Sequence, residues 1–107
     1  MHDQATFGAL RRSGRRARVG PLSVVHLPGA PGEVPRVAYA INRRVGGAVV
    51  RNRLRRRLRA IVAELAAEGR VPAGALLVVA SPPLVHTSHR ELRVMVERAL
   101  ARLDPAP

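Results

Sequence analysis

Arginine is the residue of this chain whose number and spacing best suit it to chemistry. Six arginines lie within the nine residues from Arg51 to Arg59, separated only by Asn52, Leu54 and Leu58. A guanidinium group is a planar cation that binds phosphate through two parallel hydrogen bonds and can also stack on a base. Such a density of guanidinium groups predicts a binding site for a polyanion.

The charge of the whole chain indicates which polyanion to expect. The 107 residues contain 19 arginines, no lysine and seven acids, which gives a net charge of +12. A compact chain with this imbalance repels itself unless a polyanion neutralises it. A membrane surface is a poor candidate, because Phe7 and Tyr39 are the only aromatic residues and the apolar run at 75–80 is too short to cross a bilayer. Nucleic acid is therefore favoured, although GC-rich codons alone could explain arginine in place of lysine.

The other polar side chains do not form a recognisable active site. His86 and His89 are three residues apart, but no third histidine lies near them to complete a metal site. His26 falls in a predicted strand, where we expect it at an edge or in a groove. Cysteine is absent, which excludes disulfides and thiolate chemistry. We expect neither a catalytic side chain nor a metal site in this protein.

The arginine run is predicted to lie on a long amphipathic helix. From Ala48 to Glu68, apolar residues recur at the spacing of one helical face, and most of the arginines project from the opposite side. Spacings such as Arg51 to Arg55 put like charges one turn apart, which destabilises an isolated helix and favours a role in binding. The apolar face comprises Val50, Leu54, Leu58, Ile61, Val62 and Leu65.

Upstream of this helix the sequence predicts one short helix and two strands. Thr6 can cap a helix that ends before Gly14, and its exit would carry Arg11, Arg12, Arg15 and Arg16. Strands are expected at residues 22–27 and 36–42. In the later strand bulky residues alternate with alanines, so one face is flat enough for a helix or an RNA backbone to approach.

Downstream of the arginine helix the sequence predicts one strand and one helix. Residues 75–80 form an unbroken apolar run, which is typical of a strand buried on both faces. Ser88 and Glu91 have the spacing of a capping box. The helix that follows would bury Leu92, Val96, Ala99, Leu100 and Leu103. Helix, strands, helix, strand and helix in this order indicate an α+β fold.

The stretch from Arg43 to Arg59 resembles the signature of the bacterial ribonuclease P protein subunit. In that family a basic pair, a Val-Gly step and an Arg-Asn-Arg helix follow a strand, as they do here. The similarity covers nearly the whole chain, since Phe7 with residues 11–14 is similar to the first helix of the family and residues 75–81 to its last strand. Gly47 stands where the family often has asparagine.

The resemblance implies a fold in more detail than the residue pattern does. It implies a single α+β domain over residues 1–107, with elements in the order α-β-β-β-α-β-α and a mixed four-stranded sheet. It also implies that the Arg-Asn-Arg helix joins two parallel strands by a left-handed crossover. That hand is the opposite of the one found in nearly all such connections.

The resemblance also implies a function. The chain would assist a catalytic RNA that removes the 5′ leader from precursor tRNA, with hydrolysis performed by the RNA and by Mg²⁺ bound mainly to the RNA. The expected partners are the ribonuclease P catalytic RNA and precursor tRNA, with no membrane and no small-molecule substrate. The absence of cysteine independently favours a cytoplasmic protein. No protein side chain would be catalytic or bind a metal.

Two sets of site residues follow from matching the family positions. The RNA-binding set comprises Arg43, Arg44, Arg51, Asn52, Arg53, Arg55, Arg56 and Arg59. The leader-binding set comprises Phe7, Arg11 and Arg15.

Other classes of protein share part of this pattern. A ribosomal or other structural RNA-binding protein would have similar charge, size and element order but no processing role. A protein that is itself a nuclease would need an acid or histidine cluster that the sequence does not display. A DNA-compaction protein is a weaker alternative that the charge alone permits.

Overall fold

The computed structural model describes residues 14–30 and 32–103. The helix predicted before Gly14, which includes Phe7 and Arg11, lies outside the described residues. The predicted α+β class is confirmed by the elements that follow.

Four strands form one mixed sheet: β1 (Arg15–Val19), β2 (Leu22–Pro28), β3 (Arg36–Ile41) and β4 (Gly74–Ala80). Their order across the sheet is β1-β2-β4-β3. β2 is antiparallel to both β1 and β4, and β3 is parallel to β4. β4 therefore lies inside the sheet, as its apolar run predicted.

Two α-helices and two short 3₁₀ helices connect and follow the later strands. The first 3₁₀ helix (Arg43–Val45) leads into α1 (Ala48–Ala67), which joins β3 to β4. The second 3₁₀ helix (Pro82–His86) leads from β4 towards α2 (His89–Leu103). Within the described ranges, neither α-helix is long and apolar enough to cross a membrane. The crossover through α1 is present, and its left-handed sense stays a prediction.

β1 is the strand that the residue pattern did not locate. Arg15 and Arg16, which the pattern placed at the exit of the first helix, are the first two residues of β1. Pairing with β2 explains the difference, because it places Ala17 opposite Val24 in the main core. Three arginines in five residues hide the alternation that would otherwise indicate a strand.

Both α-helices pack on one face of the sheet, and the main core lies between these two layers. The sheet contributes Leu22, Val24 and Val78 to this core. Every apolar position predicted for the two helices is buried except Val50, which is 36% exposed in the first turn of α1 beside Gly46. The buried helical residues are Leu54, Leu58, Ile61, Val62 and Leu65 of α1 and Leu92, Val96, Ala99, Leu100 and Leu103 of α2.

His26 corrects an expectation of the sequence analysis. It was expected at an edge or in a groove, but β1 pairs along the outer side of β2 and makes β2 an internal strand. His26 is only 7% exposed, and its Nε2 atom lies 2.8 Å from the carbonyl oxygen of Ala73. It therefore ties β2 to the segment that precedes β4.

Candidate nucleic-acid interface

The solvent side of α1 carries a continuous set of arginine and amide side chains, which we call the arginine face. Asn52, Arg53, Arg56 and Arg59 are exposed, and Arg55 is half-buried. These five residues span about 10 Å along the helix axis. The first acid in α1 is Glu64, more than one turn beyond Arg59. No carboxylate of α1 therefore neutralises this face.

Arg43 and Arg44 lie next to the arginine face on the first 3₁₀ helix, and both are exposed. The buried side chain of Val45 anchors this segment in the main core. The Oδ1 atom of Asn42 accepts a hydrogen bond of 2.8 Å from the backbone nitrogen of Arg44. The backbone nitrogen of Asn42 donates to the carbonyl of Ala80, 3.0 Å away at the end of β4. The basic pair is thus held close to the start of α1.

The two glycines between the basic pair and α1 have different roles. Gly46 has φ 150° and ψ −166°, a backbone conformation that almost only glycine adopts. A Cβ atom at Gly46 would also lie 3.0 Å from the Cβ of Val50. Gly47 is the N-cap, with φ −71°, and a Cβ atom there would meet open space. This turn therefore requires glycine only at position 46, and an asparagine would fit at position 47.

Contacts within and beside the arginine face orient several of its side chains. The Oδ1 atom of Asn52 accepts a hydrogen bond of 2.7 Å from Nη1 of Arg55, which occupies the amide oxygen of Asn52 but not its N–H groups. Burial raises the pKa of the Tyr39 hydroxyl, and the nearby charge of Arg59 partly opposes this rise. The Nε atom of Arg51 is buried with no hydrogen-bond partner among the described residues.

The flank of α1 that faces α2 differs from the arginine face, and we call its contacts the interhelix seam. Nη2 of Arg57 donates a hydrogen bond to the backbone carbonyl of Thr87. Further along this flank, Arg93 of α2 binds Glu64 of α1 and Glu68, the C-cap of α1, at 2.6 and 2.8 Å. The seam holds the two helices together by charged contacts above the apolar core.

Arg70 and Glu97 extend the seam at the far end of α1. Nη2 of Arg70 lies 3.0 Å from a carboxylate oxygen of Glu97, and Nε of Arg93 lies 2.9 Å from the other oxygen. Hydrogen bonds from Arg93 and Arg70 lower the pKa of Glu68, and hydrogen bonds from Arg70 and Arg93 lower that of Glu97. The same contacts raise the pKa of Arg93 well above its ordinary value. Three of the five acids in the described ranges are thus occupied away from the arginine face.

The face of the sheet opposite the helices forms a second candidate surface, which we call the outer sheet face. A cavity of about 350 Å³ opens there, and the strand register puts Arg16 and Arg18 on the same face as Val25 and Ser23. On β3, at the other edge of the sheet, the same face carries the small side chains of Ala38 and Ala40. The residues that line the cavity include Arg16, Arg18, Ser23, Val25 and Val79.

Arg16 and Arg18 were not assigned to a site by the sequence analysis, whereas Arg15 was. The register pairs Arg15 with His26, on the face of the sheet that bears the helices. Side chains alternate between the two faces along a strand, so Arg15 lies on one face and Arg16 and Arg18 on the other only if this segment is a strand. The sequence alone did not indicate that it is. The predicted RNA-binding residues, in contrast, all lie on α1 or on the first 3₁₀ helix. Phe7 and Arg11 lie outside the described residues.

The described ranges contain no group of three or more histidine and acidic side chains that could hold a metal ion. The chemistry that the two surfaces offer is therefore that of cations and hydrogen-bond donors. Both suit a ligand rich in phosphate.

Comparison with known proteins decides the family. The family model described as Ribonuclease P matches residues 1–104. The chain belongs to the ribonuclease P protein family. Proteins named ribonuclease P protein component from Nocardioides sp. and Acidothermus cellulolyticus are 41% and 44% identical to it, and each alignment covers 96% of this chain and 89% or 86% of the relative.

Solved structures of ribonuclease P proteins share the fold. The protein from Thermotoga maritima superimposes with a TM-score of 0.83 at 19% identity, covering 98% of this chain and 97% of that one. The protein from Staphylococcus aureus superimposes with a TM-score of 0.81 at 18% identity, covering 95% of this chain and 92% of that one. The element order and mixed sheet expected from the resemblance are those of this family.

Proposed function

We propose that this chain is the protein component of ribonuclease P and that it assists endonucleolytic removal of the 5′ leader from precursor tRNA. The observation that carries the proposal is the arginine face. It stands on the helix that holds the family signature, it is exposed, and Glu64, Glu68 and Glu97 are occupied in ion pairs elsewhere. Membership of the family supplies the RNA partner, and the geometry supplies a surface that such a partner would fit.

The proposed contacts with the catalytic RNA involve the arginine face, the basic pair and Arg51. Guanidinium groups would neutralise closely spaced phosphates, and the free amide N–H groups of Asn52 would donate to a backbone or 2′-hydroxyl oxygen. The buried Nε of Arg51 has no acceptor among the described residues, and a buried donor without an acceptor costs about 1–3 kcal/mol. Rotation of Arg51 towards a phosphate would remove that cost. The full set is Arg43, Arg44, Arg51, Asn52, Arg53, Arg55, Arg56 and Arg59.

The proposed site for the leader is the outer sheet face. An extended strand of RNA needs a flat surface with cations beside it. Ala38 and Ala40 keep the surface flat on β3, and Arg16 and Arg18 supply the cations on β1. Tyr39 points to the opposite face, so arginine and aliphatic side chains would make the base contacts on this sheet. Phe7, Arg11 and Arg15 are the leader-side residues expected from the family. The strand register puts Arg15 on the opposite face of the sheet and adds Arg16 and Arg18 to the outer sheet face.

The proposed chemistry is hydrolysis by the RNA subunit with Mg²⁺ bound mainly by that RNA. The protein would act by positioning the leader and by reducing repulsion between phosphates, which favours metal binding to the RNA. Its proposed place of action is the cytoplasm, where precursor tRNA is processed.

Reconstitution tests the proposal. The chain is mixed with a bacterial ribonuclease P RNA, and cleavage of 5′-labelled precursor tRNA is followed as Mg²⁺ is lowered. We expect the chain to sustain cleavage at Mg²⁺ concentrations where the RNA alone is slow. Unchanged cleavage would instead favour a structural RNA-binding protein, and cleavage by the chain without RNA would contradict RNA catalysis.

A matched pair of variants sharpens this experiment. Arg53→Ala with Arg56→Ala removes two charges from the arginine face, and Arg90→Ala with Arg98→Ala removes two exposed charges from α2. Only the first pair should raise the Mg²⁺ requirement. Equal effects of the two pairs would indicate that net charge, not the arginine face, is responsible.

A further inference from the structure

Arg57 differs from its neighbours on α1 in the partner that its side chain contacts. Its Nη2 group donates to the backbone carbonyl of Thr87, 30 residues further along the chain. Arg57 is half-buried, whereas Arg56 is exposed. We infer that Arg57 is a positioning residue, which holds RNA-binding groups in place and does not itself neutralise a phosphate. The inference rests on the proposed function.

The helical phase of Arg57 places it with the interhelix seam. At 100° per residue, Arg57, Glu64 and Glu68 fall within about 40° of one another around α1. Glu64 and Glu68 both contact Arg93 of α2. Arg57 is therefore the first member of a line of side chains that joins α1 to the elements beside it. Arg56, one residue earlier, points about 100° away from that line.

The carbonyl that Arg57 contacts belongs to a well-anchored turn. The backbone nitrogen of Thr87 donates to the carbonyl of Leu84 at 3.1 Å, and Leu84 is fully buried. Leu84 belongs to the second 3₁₀ helix and Thr87 is its C-cap. That helix packs against the first 3₁₀ helix. The first 3₁₀ helix carries Arg43 and Arg44. Arg57 thus links α1, through the second 3₁₀ helix, to the basic pair.

This link supplies a restraint that the chain connection does not. The basic pair is joined to α1 through Gly46 and Gly47, and glycine has the widest choice of backbone conformations. Val45 and the hydrogen bond from Asn42 to Ala80 hold the basic pair against the sheet, but without a tie to α1 its angle to the arginine face could still change. An RNA that contacts both surfaces binds more tightly when they are held at a fixed separation, because less ordering is needed on binding. Arg57 would therefore influence RNA affinity without touching RNA.

The salt dependence of RNA binding distinguishes a positioning residue from a phosphate contact. Affinity for the ribonuclease P RNA is measured over a range of salt for wild type, Arg57→Met, Arg57→Lys and Arg56→Ala, with circular dichroism to verify folding. Arg57→Met keeps the side-chain stem and loses the donor. We expect it to bind several-fold more weakly with the wild-type slope, whereas Arg56→Ala should reduce the slope by about 0.7–0.9. Arg57→Lys, which keeps a donor, should recover most of the affinity.

Combination with Arg44→Ala tests the link to the basic pair. If Arg57 positions Arg44, its loss should cost less affinity in the Arg44→Ala background than in wild type. Additive losses, a reduced slope in Arg57→Met, or wild-type affinity in Arg57→Met would each overturn the inference while leaving the proposed function intact. If Arg57→Met does not fold, an Arg57→Lys variant that folds but binds no better than Arg56→Ala also overturns it. Failure of the wild type to bind this RNA would remove the proposed function and the inference together.

Discussion

Arg15, Arg16 and Arg18 are close in the chain, but β1 divides them between two faces of the sheet. Arg16 and Arg18 line the cavity of the outer sheet face, and Arg15 pairs with His26 on the other face. Alternation along a strand decides this division, because successive side chains point to opposite sides. Of these residues, Arg16 and Arg18 are the better placed to meet an RNA strand lying across the sheet.

Replacing these arginines should show which face of the sheet binds the leader. We expect Arg16→Ala with Arg18→Ala to weaken binding of precursor tRNA to the reconstituted particle by about tenfold, or about 1.4 kcal/mol. Binding of mature tRNA, which has no leader, should not change. Arg15→Ala is the control and should have the smaller effect. A loss of similar size for mature tRNA would place Arg16 and Arg18 outside the leader site.

For individual residues, the sequence could not predict contacts between side chains that are far apart in the chain. The spacing of α1 distinguished its polar side from its apolar side, but nothing near Arg57 indicated that its partner would be the carbonyl of Thr87. The same holds for His26, whose contact with Ala73 depends on how β2 enters the sheet. Charge and periodicity identify a surface, whereas pairing across the fold decides which members of that surface are free.

The interhelix seam is the feature that joins one element to another. It lies on the flank of α1 beyond the arginine face and holds Glu64 and Glu68 against Arg93. These side chains are partly exposed, with Arg93 at 24% and Glu68 at 45%. Surface ion pairs of this kind contribute little one at a time, but a network with good geometry contributes more. The seam also keeps carboxylates away from the residues proposed to bind RNA.

The seam predicts a loss of stability in acid. The pKa values of Glu68 and Glu97 are lower in the folded protein than in the unfolded chain, so the stabilisation is present at neutral pH. It is lost as the pH falls below the ordinary pKa of a glutamate, about 4.3, and through the lowered values. Denaturant unfolding between pH 6 and about pH 3 should show this decline. Glu68→Gln should flatten it, and Glu91→Gln, which lies on α2 outside the seam, should not; equal curves for both variants would contradict this role of Glu68.

Elements with clear periodicity were predicted from the sequence, and one element without it was not. α1, α2 and β4 carry apolar residues at regular positions, and their bounds agree closely with those expected. β1 consists of arginines around Ala17, so only its pairing with β2 defines it. Val50 continues the helical pattern into the first turn of α1, where the core no longer covers it.

The whole molecule is a strongly positive body whose acids are unevenly placed. The net charge is +12, and three of the acids in the described part of the chain are held in the interhelix seam. Repulsion among the arginines outside the seam opposes folding of the free chain. An anion that binds the folded state shifts the equilibrium towards it.

Sulfate should therefore stabilise the free protein. We expect the melting temperature to rise as sulfate is added, with stabilisation approaching about 2.7 kcal/mol at a concentration one hundred times the dissociation constant. Circular dichroism during heating is the measurement. Sulfate also stabilises proteins in general, so Arg53→Ala with Arg56→Ala is the control. The variant should gain less than wild type, and an equal gain would mean that no anion site lies on the arginine face.

The strand order has a consequence for how the protein is made. Within the described ranges β3 pairs only with β4, and β4 also completes the pairing of β2, yet β4 is synthesised after α1. Until β4 has left the ribosome, β1 with β2 is the one strand pairing of this sheet that can form, and α1 has no complete sheet on which to pack. Contacts between such distant segments also slow folding. The arginine-rich segment of α1 thus leaves the ribosome, which is itself rich in RNA, before the sheet on which α1 packs is complete.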